Sequence, residues 1–269
     1  MDRPALNFAF SSCPNDTFAF HAIVHGLVAG PAVVAHIDDV EALNARAELG
    51  GAEVTKVSIA AYPGIRDRYA LLRAGGAAGF GVGPIVVARA ARAVGGRVAI
   101  PGDRTTAALL LRLLGRFETV PMRFDRIEGA VLRGEVDCGV LIHEGRFTYE
   151  AKGLTLIGDL GAVWEERMQC PLPLAAIAIR RDLAPQVGAA IDRALRASIE
   201  YALANPAASR DYVVAHAQEM APDVVQRHIH LYVNHYTVEL DEPAVRRMLE
   251  WAAEATAIPP ASEQLTVFV

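Results

Sequence analysis

Twice along this chain, short apolar runs alternate with capped amphipathic segments, and that alternation limits the fold more than any other feature of the sequence. Leu6 to Phe10 reads as a strand, with Asn15 or Asp16 capping a helix through Phe18 and Val24 to a stop at Gly26. Ala32 to Ile37 is the next strand, then a helix capped at Asp38 or Asp39 over Val40, Leu43 and Leu49, then a strand from Val54 to Ile59. A second series starts at Val98 to Ile100. It continues with a helix capped at Thr105 or Thr106 over Leu109, Leu110 and Leu113, a strand from Val120 to Phe124, and a helix capped at Asp125 over Ile127 and Val131. An apolar run ending at His143 closes it. Strands separated by short helices pair in parallel with right-handed crossovers, so two α/β sheets are expected.

The glycine-rich stretch from Gly75 to Gly83 separates the two series. A dinucleotide fingerprint must open a helix, whereas Pro84 to Arg89 reads as a strand, so the stretch is expected to be a linker. Leu172 to Arg180 echoes Pro84 to Arg89, each a proline, an apolar run and an arginine. Two such strands bracketing the middle third suit a clamp whose chain crosses over once and returns once, with a ligand cleft and hinge between lobes. The expected lobes are 1–88 with 175–269, and 89–174. Beyond Pro185 the chain reads as helices starting at Pro185, Pro206, Pro222 and Glu242, and Leu231, Val233 and Tyr236 are expected to pack on the first lobe.

Composition narrows the partners. At 52% hydrophobic and 21% charged residues the 269-residue chain can bury sizeable cores, and a net charge of -5 with interspersed signs leaves no footprint for nucleic acid or anionic lipid. No run approaches the ~18 apolar residues of a membrane span, and Met1 to Phe10 is too polar for a signal peptide, so a cytoplasmic protein is expected. Cys13, Cys138 and Cys170 are too few and too widely spaced for a disulfide framework or zinc knuckle, which fits a reducing compartment.

His143 is the candidate for chemistry, because the carboxyl ends of strands in open α/β sheets border the ligand crevice, and an imidazole there can exchange a proton near neutral pH. Glu144, Arg146 and Tyr149 are near enough in sequence to tune it or hold an anion. Cys13, beside a helix start, is a rival nucleophile whose alternative is a small buried residue at the cleft floor. Asn15 is a weaker substrate-binding candidate, with capping its own helix as the simpler role. His228, His230 and His235 include no pair at i, i+4, and Phe147 stands where His143-Glu144 would need a second histidine, so no metal is expected.

From Ser11-Ser12-Cys13-Pro14-Asn15-Asp16-Thr17-Phe18 onward the chain resembles the 1,4-dihydroxy-6-naphthoate synthase family of the futalosine route to menaquinone. Asp39-Val40-Glu41-Ala42-Leu43-Asn44, Thr55-Lys56-Val57-Ser58, Gly81-Val82-Gly83-Pro84, Thr105-Thr106 and His143-Glu144-Gly145-Arg146-Phe147-Thr148-Tyr149 follow the family's order, as do Trp164-Glu165-Glu166-Arg167 and Leu172-Pro173-Leu174. Ser12 and Val57 depart from an expected proline and leucine without removing a polar group.

The resemblance implies a type II periplasmic-binding-protein-like fold, two α/β lobes with an interdomain cleft and two crossover strands, used as an enzyme. It implies a lyase that converts cyclic dehypoxanthinyl futalosine, a small carboxylate, into 1,4-dihydroxy-6-naphthoate and dihydroxyacetone, with no cofactor. His143 would be the proton acceptor, and Lys56, Val57, Ser58, Thr105 and Thr106 would hold substrate. The last two suit a carboxylate because a helix start offers free N–H groups; Lys56 would add a mobile cation. A chorismate dehydratase-like sister enzyme and a small-carboxylate solute-binding protein are the competing readings.

Overall fold

A computed structural model of the chain describes residues 5–217, 221–256 and 267–269; the first four residues of the opening stretch lie outside them. Eleven strands form two sheets among these residues. The strands are β1 Leu6–Ser11, β2 Val33–Asp38, β3 Val54–Ser58, β4 Tyr69–Leu71, β5 Ala77–Gly79, β6 Ile85–Ala88, β7 Arg97–Ile100, β8 Glu118–Pro121, β9 Cys138–Leu141, β10 Thr155–Asp159 and β11 Leu172–Arg180. The first sheet has the order β2-β1-β3-β11-β4, with β5 also paired to β11, and the second has the order β10-β6-β9-β7-β8.

Each βα series pairs in parallel as expected: β1 with β2 and β3, and β7 with β8 and β9. The two echoing strands do not. β11 runs antiparallel to β3, β4 and β5, and β6 runs antiparallel to β9 and β10. No crossover helix leads from β6 to β7, so the geometric requirement that makes βαβ units parallel does not act there. β6 also lies in the second sheet, although Ile85 to Ala88 falls inside the 1–88 span expected for the first lobe.

Helix starts follow local chemistry in part. Asp39 caps the helix Val40–Glu48 by accepting from the N–H groups of Glu41 and Ala42, and Thr105 caps Thr106–Leu111 by accepting from Ala108. Cys13, not Asn15 or Asp16, occupies the cap of Pro14–Val24, because Pro14 presets the first helical φ and both polar side chains are drawn elsewhere. Asp125 likewise falls inside its helix, Phe124–Arg133, and the preceding strand ends at Pro121. The helix expected from Pro206 spans Arg210–His216.

The glycine-rich stretch is more structured than a linker. Ala77–Gly79 forms β5, and Gly83 packs so closely on Gly161 that a β-carbon at Gly83 would sit 2.1 Å from the Gly161 Cα. The helices Pro185–Ala204 and Pro222–Tyr232 lay Ile191, Leu195, Ile199, Val225 and Ile229 over Phe8, Phe10 and Phe20 of the first sheet and its first helix, and Val233 joins them. Among the described residues no helix is long and apolar enough to cross a membrane.

Candidate active site

Between the two sheets lies a cavity. The first sheet and its helices contribute Ser11, Asn15, Asp16, Lys56, Ser58 and His228; the second contributes Thr105, Thr106 and His143; Leu174 and Ala175 of β11 join them. This is the crevice beyond strand ends in which open α/β sheets place ligands.

His143 follows β9 by two residues and precedes the short helix Gly145–Thr148. Its backbone is left-handed, φ 56°, a conformation that costs a non-glycine residue roughly 1 kcal/mol or more. The imidazole meets the edge of Phe124 at 4.9 Å, and the Cys13 sulfur lies 3.1 Å from Nδ1 and 3.4 Å from Nε2. Desolvation lowers its pKa to about 4; Asp16 raises it and Lys56 lowers it, so those two charges oppose each other. The ring is therefore a neutral base at pH 7.

Cys13 is buried, and burial together with Glu144 and Asp16 pushes its thiol well above the ordinary range. A protonated thiol is a poor nucleophile, so Cys13 is a neighbour of the imidazole and not a thiolate catalyst.

Lys56 is not a mobile cation. It is 4% exposed and its Nζ donates to Asp16 Oδ1 at 2.5 Å and to the Gly75 carbonyl at 3.3 Å. Asp16 is 2% exposed and further accepts from the Ser11 hydroxyl at 2.6 Å and from Asn15 Nδ2 at 2.9 Å. Asn15 spends its side-chain oxygen as well, accepting from His228 Nε2 at 2.9 Å, so both ends of its amide are held within the wall. The side chain of Val57 faces away from the cavity, fully buried in the core, because successive residues of a strand point to opposite sides; Lys56 and Ser58 share the other face.

Ser58 is better placed. Its hydroxyl accepts from Asn44 Nδ2 at 3.0 Å and its N–H donates to Asn44 Oδ1 at 2.9 Å, which leaves its own hydroxyl hydrogen for a ligand. The threonine hydroxyls are already engaged: Thr105 donates to the Gly102 carbonyl at 2.8 Å, and Thr106 donates to the Leu174 carbonyl at 2.7 Å while accepting from Ala60 at 3.3 Å. Thr106 thus ties the second unit to both the first and the returning strand.

Arg146, a candidate anion holder, instead donates to the Gly83 carbonyl at 2.6 Å and to Asp159 at 2.7 Å. Sequence reasoning missed Asp16, Ser11 and Tyr232 as cavity residues and dismissed His228, which sits at helical spacing with Val225, Ile229 and Tyr232. Among the described residues no group of three or more histidine, cysteine or acidic side chains is placed to hold a metal ion.

A family described as menaquinone biosynthesis matches residues 6–254. The chain is 50% identical over 257 residues to 1,4-dihydroxy-6-naphthoate synthase of Thermus thermophilus, covering 94% of each, and 44% identical over 272 residues to the synthase of the same name from Streptomyces coelicolor, covering 96% of each. A solved protein of Archaeoglobus fulgidus superposes with a TM-score of 0.90 at 40% identity, over 95% of this chain and 98% of that one. The alkanesulfonate-binding protein SsuA of Xanthomonas axonopodis superposes with a TM-score of 0.72 at 10% identity over 96% of each chain, a likeness of fold alone: the type II periplasmic-binding-protein-like arrangement of two α/β lobes.

Proposed function

The chain belongs to the menaquinone-biosynthesis family, and on that premise we propose that it is a carbon–carbon lyase converting cyclic dehypoxanthinyl futalosine to 1,4-dihydroxy-6-naphthoate and dihydroxyacetone, with His143 as the general base. The observation that carries this reading is a neutral imidazole at the wall of a cavity shared by both sheets. Neutral His143 removes a carbon-bound proton from the sugar-derived ring, the electron pair moves toward carbon–carbon cleavage, and formation of the second aromatic ring favours departure of the three-carbon fragment. All atoms of both products come from the substrate, so the scheme needs no oxidant or reductant.

A positioned base supplies about 10² to 10⁴ in rate, so exclusion of water between the lobes supplies much of the rest. The Ser58 hydroxyl hydrogen and the first-turn backbone at Thr105 and Thr106 are the groups we assign to holding the substrate. Purified protein incubated with cyclic dehypoxanthinyl futalosine should generate a naphthoate chromophore, and incubation with chorismate should yield no product. His143→Asn should abolish turnover while substrate still raises the thermal midpoint; near-normal turnover in that variant removes His143 from the mechanism.

A further inference from the structure

His228 lies on the inward stripe of the helix Pro222–Tyr232, among Val225, Ile229 and Tyr232. Unlike the aliphatic residues there it is fully polar at its tip, it is 1% exposed, and it lines the cavity with its ring centroid 6.2 Å from that of His143. Its hydrogen bonding is half complete. Nε2 meets Asn15 Oδ1 at 2.9 Å, whereas Nδ1 is buried with no hydrogen-bond partner among the described residues. An open polar atom buried beside a ligand cavity calls for a ligand group to complete it.

The surrounding network fixes which nitrogen is open. Asp16, paired with Lys56, is a carboxylate and can only accept, so it takes a hydrogen bond from Asn15 Nδ2, which turns the amide's Oδ1 toward His228. An amide oxygen also only accepts. The His228 proton therefore sits on Nε2, and Nδ1 carries a bare lone pair. Burial, with His143 and Lys56 adding to it, holds the ring well below the ordinary histidine range, so a second proton does not occupy that lone pair.

We propose that His228 contacts substrate directly, its Nδ1 accepting a hydrogen bond from a hydroxyl of a polyhydroxylated ligand held between it and His143. This deepens the proposed function and rests on it, because the fragment that leaves as dihydroxyacetone carries such hydroxyls. The two imidazoles then divide the work: His143 takes the carbon-bound proton, and His228 fixes the orientation of the ring that loses it. A bare acceptor also rejects analogues lacking the hydroxyl more strongly than an apolar wall does.

His228→Gln keeps an amide donor for Asn15 and offers no acceptor at the Nδ1 position. With cyclic dehypoxanthinyl futalosine its kcat/KM should fall roughly 10- to 100-fold, the range for one buried hydrogen-bond partner, with a thermal midpoint within about 3 °C of wild type. Nitrogen-15 NMR of the full chain, with His228 assigned through its backbone, should show a protonated Nε2 and an unprotonated Nδ1. In His143→Asn protein, the Nδ1 resonance should move upfield when the substrate is added. A proton found on Nδ1, an Nδ1 resonance that ignores substrate, or wild-type kcat/KM in His228→Gln overturns the inference. Wild-type protein that turns the compound over beside an unaffected Gln variant removes this inference alone. Wild-type protein that fails to turn it over removes the proposed function and the inference with it.

Discussion

Replacing Asp16 with asparagine should destabilise the protein severely. The carboxylate and the Lys56 ammonium are 2% and 4% exposed, and they face each other at 2.5 Å. Asparagine keeps the volume and one accepting oxygen, but it removes the charge that compensates Lys56, whose other contact is the Gly75 carbonyl at 3.3 Å. It also places an amide donor near the Ser11 N–H and hydroxyl, which now both donate to Asp16 Oδ2. Breaking one side of a buried pair typically costs about 3–5 kcal/mol, largely from the lone charge left behind. At roughly 2–4 °C per kcal/mol for a chain of this size, the thermal midpoint should drop by about 10 °C. Urea unfolding of Asp16→Asn, Lys56→Met and the double variant closes the cycle. The double variant should be at least about 1 kcal/mol more stable than the sum of the single losses implies, because no uncompensated charge remains. A single-variant loss below about 1 kcal/mol, or strict additivity, refutes the reasoning.

Four further outcomes follow from the structure. With its pKa lowered to about 4, His143 stays unprotonated through the mildly acidic range, so kcat/KM should hold from neutral pH to about 5 and fall with a midpoint near 4, not near the ordinary 6.5. The same depression makes stability pH-dependent. Its contribution is complete above the unfolded pKa near 6.5 and is lost as pH falls toward 4, by about 3 kcal/mol for His143, which urea titrations at stepped pH would read. Cys13→Ser should keep at least a third of the turnover, since the buried thiol is protonated and only neighbours the imidazole; loss beyond 100-fold would restore a thiolate role. Gly83→Ala should cost more than 2 kcal/mol, measured by thermal unfolding, because its β-carbon meets Gly161 backbone atoms at 2.1 and 2.3 Å, and backbone cannot step aside as a flexible side chain can.

Local signals were readable wherever one residue and its near neighbours decide the outcome. Asp39 and Thr105 cap as their types and positions predict, and the run through Val140 and Leu141 delivers His143 to the cleft because strand period and flanking glycines fix it. What stayed hidden depends on contacts far apart in sequence. Asp16 looks like a helix cap until β3 brings Lys56, forty residues on, against it. Asn15 is pulled the same way by His228 from 213 residues away. His228 itself was hard to see because a histidine on an apolar helical stripe is most simply a core residue, and only the unpartnered Nδ1 separates it from one. The antiparallel sense of β6 and β11 was likewise illegible, since proline and an apolar run specify a strand but not its direction.

Under the proposed reaction, the charges around the cavity bear on how so weak a base as His143 serves. Among its described walls the formal charges are Asp16 and Lys56, whose effects on His143 oppose each other, so desolvation is the largest influence on the imidazole. A substrate carboxylate entering this neutral space is, under the proposed reaction, a net negative charge near the imidazole, and a nearby anion favours the protonated ring. The base therefore strengthens, under the proposed reaction, as the anion it is to act on arrives. A wall with an unpaired lysine would bind the carboxylate more tightly but cancel that effect at the imidazole. Pairing Lys56 with Asp16 thus gives up ground-state attraction for basicity that appears with the substrate, and under the proposed reaction that basicity is what the proton transfer requires.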